Sequence, residues 1–193
     1  RLVIEYDASR FLSVGGDAGV ELRDGLTAYR EGDFAKAADH AQAALASDDD
    51  KAHPFARYLL GCVRYREGKW RKAMDHLQSA IKGNSKLAGA YFLVGNVALR
   101  AGQPQRAIEY YHLAANRRTD MAEAYFQIAQ VLLAGGSTPE AMDYLGATVS
   151  ARSDFSPALN LLARILATHP DARYRNGRRA VQFAERACLM TNY

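Results

Sequence analysis

Along most of the chain, apolar residues return every three to four positions, the period of a helix with one buried face. LAGAYFLVGNVALRAG, ending at Gly102, carries such a stripe; the glycine interrupts it, and PQRAIEYYHLAA resumes it two residues later. The spacing therefore predicts a helix, a turn and a second helix. A fourteen-residue phrase recurs with that pattern: GDFAKAADHAQAAL from Gly32, GKWRKAMDHLQSAI from Gly68 and GQPQRAIEYYHLAA from Gly102.

Three sets of small residues share one period. Gly25, Gly61, Gly95, Ala129 and Ala163 succeed each other at 36, 34, 34 and 34 residues. The turn glycines Gly32, Gly68, Gly102 and Gly136 step by 36, 34 and 34, and alanines recur at Ala37, Ala73, Ala107, Ala141 and Ala180. An internal repeat of this length is the signature of stacked helix pairs. Helix starts are marked by Asp33, Pro104 and Pro139 in second helices, and by Asp120 and Ser156 in first helices. Gly61 and Gly95 are expected to face Ala73 and Ala107 where paired helices approach closely.

This pattern resembles the tetratricopeptide repeat over about residues 18 to 190. The apolar-small pair of the family's first helix stands at Leu60-Gly61, Val94-Gly95, Ile128-Ala129 and Leu162-Ala163. Second-helix residues stand at Trp70, Ala73, Leu77 and Ala80, and again at Ala107, Tyr111 and Ala114. The tyrosine of the family pattern is replaced by Arg64, Ala98 or Leu132, and its closing proline by Ser85, Thr119 or Ser153. The resemblance implies an all-α, right-handed solenoid of about five repeats, at 18–53, 54–87, 88–121, 122–155 and 156–190. Residues 1–17 precede the period as an extension or linker: RLVIEY reads as a short strand or the tail of a preceding domain, SRFLSV as a capping turn, Gly15-Gly16 as a hinge. The last stretch resembles a variant repeat near the end of bacterial tetratricopeptide proteins, where further helices follow. Phe183, Ala187 and Leu189 are accordingly expected to form an apolar edge, open or covered by another subunit, and self-association through the last helix is one expectation.

Composition narrows the function. The formal charge of +4 is spread through the helices, unlike the dense basic stripe of a nucleic-acid binder, so no nucleic acid is expected. No apolar run reaches the roughly 18 residues of a membrane span. Cys62 and Cys188 fall three repeats apart, too far for a disulfide, and both read as small core residues. His40 and His76 share a register, but no carboxylate or cysteine completes a ligand set around them. Asp48-Asp49-Asp50 lacks the spacing and glycine of a calcium loop, and no phosphate-binding loop occurs. No catalysis, metal or cofactor is expected within these residues.

What the resemblance implies instead is a concave groove lined by first helices, which binds a protein or peptide. The family's ligand-contact positions carry over to Arg23 and Arg30 (with Leu26) in repeat one, and to Tyr58, Tyr65 and Arg66 in repeat two. They carry over to Phe92, Asn96 and Arg100 in repeat three, Phe126, Gln127 and Gln130 in repeat four, and Asn160 and Arg164 in repeat five. Tyr91 and Tyr125 read as core. Guanidinium groups take carboxylates through paired hydrogen bonds, so the expected ligand carries acidic groups. The subclass that clamps a partner's terminal carboxylate is matched at Asn96 alone; Phe92, Gln127, Pro157 and Leu161 depart from it. The reading is an interaction scaffold or adaptor; the other reading is the repeat region of a larger enzyme, such as a membrane glycosyltransferase or a hydrolase. Neither the partner nor the compartment is encoded.

Overall fold

In the computed structural model, which describes residues 3–191, the repeated phrase becomes paired helices. One compact unit ends at Arg118 and a second begins at Thr119. The first opens with a 3₁₀ turn, Val3–Asp7, and a short helix α1 (Ala8–Leu12). Three hairpins follow: α2 (Gly16–Glu31) with α3 (Phe34–Leu45), α4 (His53–Arg66) with α5 (Trp70–Gly83), and α6 (Ala88–Arg100) with α7 (Pro104–Arg117). Within this unit, α3 also packs on α4 and α5 on α6. The second unit pairs α8 (Ala122–Ala134) with α9 (Thr138–Ala151), and α10 (Ser156–Thr168) with α11 (Gly177–Thr191). A 3₁₀ turn, Ala172–Tyr174, lies inside the longer loop before α11. No strand occurs among the described residues, and none of their helices is long and apolar enough to cross a membrane.

The first four hairpins turn on the recurring glycine. Gly32, Gly68, Gly102 and Gly136 have φ of +85°, +75°, +72° and +82°, the left-handed region that costs other residues about 1–2 kcal/mol. At Gly102, this lets the next amide, Gln103 N–H, reach back to the Ala98 carbonyl at 3.0 Å and close the helix end. Asp33 then caps α3, its carboxylate accepting from Lys36 N–H at 3.0 Å.

The close approach within hairpins is real, but the facing residue differs from the expected alanine. A methyl group on Gly61 would lie 2.7 Å from the Leu77 side chain. On Gly95 it would lie 2.6 Å from the Tyr111 ring and 3.2 Å from the Ala107 carbonyl. The missing side chain makes room for a large residue one turn beyond the alanine. Ala73 and Ala107 are themselves wholly buried.

Three further expectations are corrected. Val3–Asp7 is a tight helical turn rather than a strand (Arg1 and Leu2 lie outside the described residues). A strand would send neighbouring side chains to opposite faces, whereas Tyr6 and Asp7 are both buried. The edge of α11 is also rotated from its expected position. Ala180 and Ala187 are buried and Phe183 packs into the core around Leu162 and Ile165, leaving Val181, Leu189 and Met190 exposed. Cys188 shares that outer face and is exposed, so only Cys62 is a core cysteine.

Candidate functional site

The site begins with a repeated juxtaposition on the first unit. Two residues after the turn glycine stands an aromatic, Phe34 after Gly32 and Trp70 after Gly68. The tyrosine near the end of the preceding helix packs on it: Tyr29 lies 5.5 Å from Phe34, and Tyr65 lies 5.2 Å from Trp70, edge-on. The arginine of the next repeat then covers the ring. Arg66 sits 5.5 Å from the Phe34 centroid and Arg100 4.6 Å from that of Trp70. Both guanidinium groups are exposed, and no ion pair among the described residues involves either.

Arg30 holds the same register in repeat one, five residues after Gly25 as Arg66 follows Gly61 and Arg100 follows Gly95. Its guanidinium is already engaged. Nε donates to Glu5 Oε1 and Nη2 to Glu5 Oε2, both at 2.7 Å. This two-pronged bond raises the Arg30 pKa, burial opposing it weakly.

Glu5 belongs to the segment before α2, which lies across the first helices of the unit. Phe11 is wholly buried, 5.3 Å from Phe55 and 5.8 Å from Tyr58. Asp7 Oδ2 accepts from Gly89 N–H at 2.8 Å and so caps α6 from 82 residues away. Arg118 donates to the Tyr6 carbonyl at 2.8 Å, and Arg23 to the Val14 carbonyl at 3.3 Å. Asp7, Tyr58 and Cys62 consequently form a buried polar cluster. Burial raises the Asp7 pKa against the lowering effect of the Gly89 amide, and pushes the Tyr58 hydroxyl and Cys62 thiol well up.

The groove positions therefore divide. Tyr58 lies beneath the leading segment, and Phe92 is buried 5.4 Å from Tyr111, so neither lines an open surface. Leu26 is buried as well. Asn96 Oδ1 accepts from Tyr111 Oη–H at 2.8 Å, which ties one side of its amide to the core. Arg23 and Arg30 are bound to the leading segment; Tyr65, Arg66 and Arg100 remain at the surface. On the second unit, Phe126, Gln130, Asn160 and Arg164 come together around a hollow of about 290 Å³ between α8 and α10. Phe126 forms its floor, 5.1 Å from Phe155. Gln127 is half-buried and outside that lining.

Sequence reasoning missed the ring partners Phe34 and Trp70 and the acidic residue Glu5. The fixed spacing from turn glycine to aromatic was the available signal for the rings. Nothing in the local pattern places Glu5 against Arg30, 25 residues later. Among the described residues, no group of three His, Cys, Asp or Glu side chains is placed to hold a metal ion. His40 instead pairs with Glu21 at 2.7 Å, joining α3 to α2.

Comparison with known proteins bears on this architecture. A tetratricopeptide repeat profile matches residues 22–91 and 58–119, and a second of the same description matches residues 98–165. No curated protein matches the chain. Among solved structures, a crystal structure of MamA is 21% identical with a TM-score of 0.69, covering 87% of this chain and 94% of that one. MamA from Desulfovibrio magneticus RS-1 is 13% identical with a TM-score of 0.69, over 93% and 98% of the two chains. YrrB, a tetratricopeptide repeat protein with an unusual peptide-binding site, is 18% identical with a TM-score of 0.64, over 100% and 93%. At such identities the likeness is one of fold. With hairpins turning on periodic glycines, and profiles spanning more than half its length, the chain belongs to the tetratricopeptide repeat family, α-solenoids of helical repeats that serve protein interaction.

Proposed function

We propose that this protein is a non-catalytic adaptor that holds an acidic segment of a partner protein along the arginine row Arg66–Arg100. The observation that carries this reading is Arg30. At the same register, it takes the Glu5 carboxylate through two hydrogen bonds of 2.7 Å. Arg66 and Arg100 repeat its position with their guanidinium groups exposed, each steadied on an aromatic ring that limits the conformations to be lost on binding. The second unit by itself carries similar donor chemistry, with Arg164 beside the amides of Asn160 and Gln130.

Peptides selected from a random twelve-residue display library against this protein are expected to be rich in Asp and Glu. Arg66→Glu combined with Arg100→Glu is expected to weaken the tightest of them by about tenfold or more, since a charged hydrogen bond contributes about 1.5–3 kcal/mol. Circular dichroism should be unchanged, because both side chains are exposed. Affinity that survives both reversals would remove the row from the site.

A further inference from the structure

Beside Arg100 lies a hollow of about 790 Å³, between α5 and α6, the second helix of repeat two and the first helix of repeat three. Trp70 and Met74 of α5 face Val97 of α6 and the following Ala101 across it. None of the sequence-derived contact positions except Arg100 borders it. Its floor is apolar: Val97 is buried, and Trp70 and Met74 are half-buried. Its rim carries the two guanidinium groups of Arg71 and Arg100 against the single carboxylate of Asp75, an excess of one positive charge.

The chain shows in its own leading segment how this register meets a peptide. Glu5 pairs with Arg30 while its two neighbours, Ile4 and Tyr6, are each 1% exposed. An acid flanked by large buried apolar residues thus pairs with the arginine of this register. At Arg100 the guanidinium and the apolar surface are both present, the latter as the hollow.

We propose that this hollow is the anchor pocket for a partner segment, receiving a large aliphatic or aromatic side chain whose neighbouring carboxylate pairs with Arg100. The proposal rests on the acidic-segment reading above and adds to it the anchor. An apolar side chain seated there would remove the still-exposed parts of Trp70 and Met74 from water, a hydrophobic gain that the carboxylate bond alone does not supply. The charge excess at the rim favours a segment bearing an acid over one bearing a base.

Trp70 is the sole tryptophan of the chain, so its fluorescence reports on the hollow directly. The test uses the whole protein and an end-capped peptide Ser-Gly-Ile-Glu-Phe-Gly-Ser. Two relatives accompany it, one with Gln for Glu and one with Ala for both Ile and Phe. The first peptide is expected to shift Trp70 emission to the blue saturably. The Ala peptide should lose that shift, and the Gln peptide should need about tenfold more for half-saturation. Met74→Glu should abolish the shift and Arg100→Gln should weaken only the Glu peptide, with circular dichroism confirming that both variants are folded. If the Ala peptide binds with the full affinity of the first, or binding by calorimetry leaves Trp70 emission unmoved, the anchor is refuted while the acidic reading stands. If the Gln peptide binds as tightly as the Glu peptide, the acidic reading falls and the proposal with it. Absence of saturable binding by the first peptide also overturns it.

Discussion

Two residues show how much depends on single atoms. Gly95 has no room for a methyl group, because the Tyr111 ring would stand 2.6 Å from it. Gly95→Ala is therefore expected to destabilise the protein by about 1–3 kcal/mol, the range for overpacked cores, and a thermal melt monitored at the helix band checks it. Asp7 makes a second, pH-dependent case. Burial raises its pKa above the ordinary 3.8, so folding shifts Asp7 toward the neutral acid relative to the unfolded chain. Its contribution to stability is fully present below that ordinary value and is lost as pH rises through the folded one. The melting temperature of Asp7→Asn minus that of the wild type should accordingly be most negative in acid and climb with pH; a difference that stays flat would show Asp7 to be unshifted. The glycine was legible from its period, the aspartate was not. Asp7 looks like any surface acid until its partner, the Gly89 amide, is known.

At the scale of elements, the hairpins were legible because they are specified locally, by an apolar stripe and, in the first four, a glycine turn. The segment before α2 was not, because its conformation is dictated by helices that follow much later in the chain. Read alone, RLVIEY has the apolar alternation of a strand; against α2, α4 and α6, Val3–Asp7 winds into a turn that buries Ile4, Tyr6 and Asp7. Phe11 completes this attachment between Phe55 and Tyr58. Phe11→Ala should cost about 3–5 kcal/mol, as for other large-to-small changes at wholly buried aromatics. It should also speed amide exchange at the start of α6, where the Asp7 cap would loosen; exchange and stability both like wild type would show the segment to be a passive tail. The rotation of α11 was illegible for a related reason. Its apolar residues cover more than one face, and only packing on α10 decides that Ala187 turns inward and Cys188 outward.

At the scale of the whole molecule, the fold class follows from repetition, and the proposed ligand chemistry is argued from what repeats along with it. Of the groove residues carried over from the family, some lie at the surface and others are covered or engaged by the chain itself. Tyr58 is covered by the leading segment and Arg30 is bound to it, while Arg66 and Arg100 continue the same row in the open. A protein that already holds Glu5 with one arginine of a periodic set has the chemistry to hold another acid with the rest. The most direct test is a charge exchange. A selected acidic peptide and its Lys-substituted counterpart are titrated against the wild type and against Arg66→Glu/Arg100→Glu. The acidic peptide is expected to prefer the wild type and the Lys peptide the variant, each by about tenfold or more. If both peptides rank the two proteins in the same order, the arginine row does not read the charge of its partner.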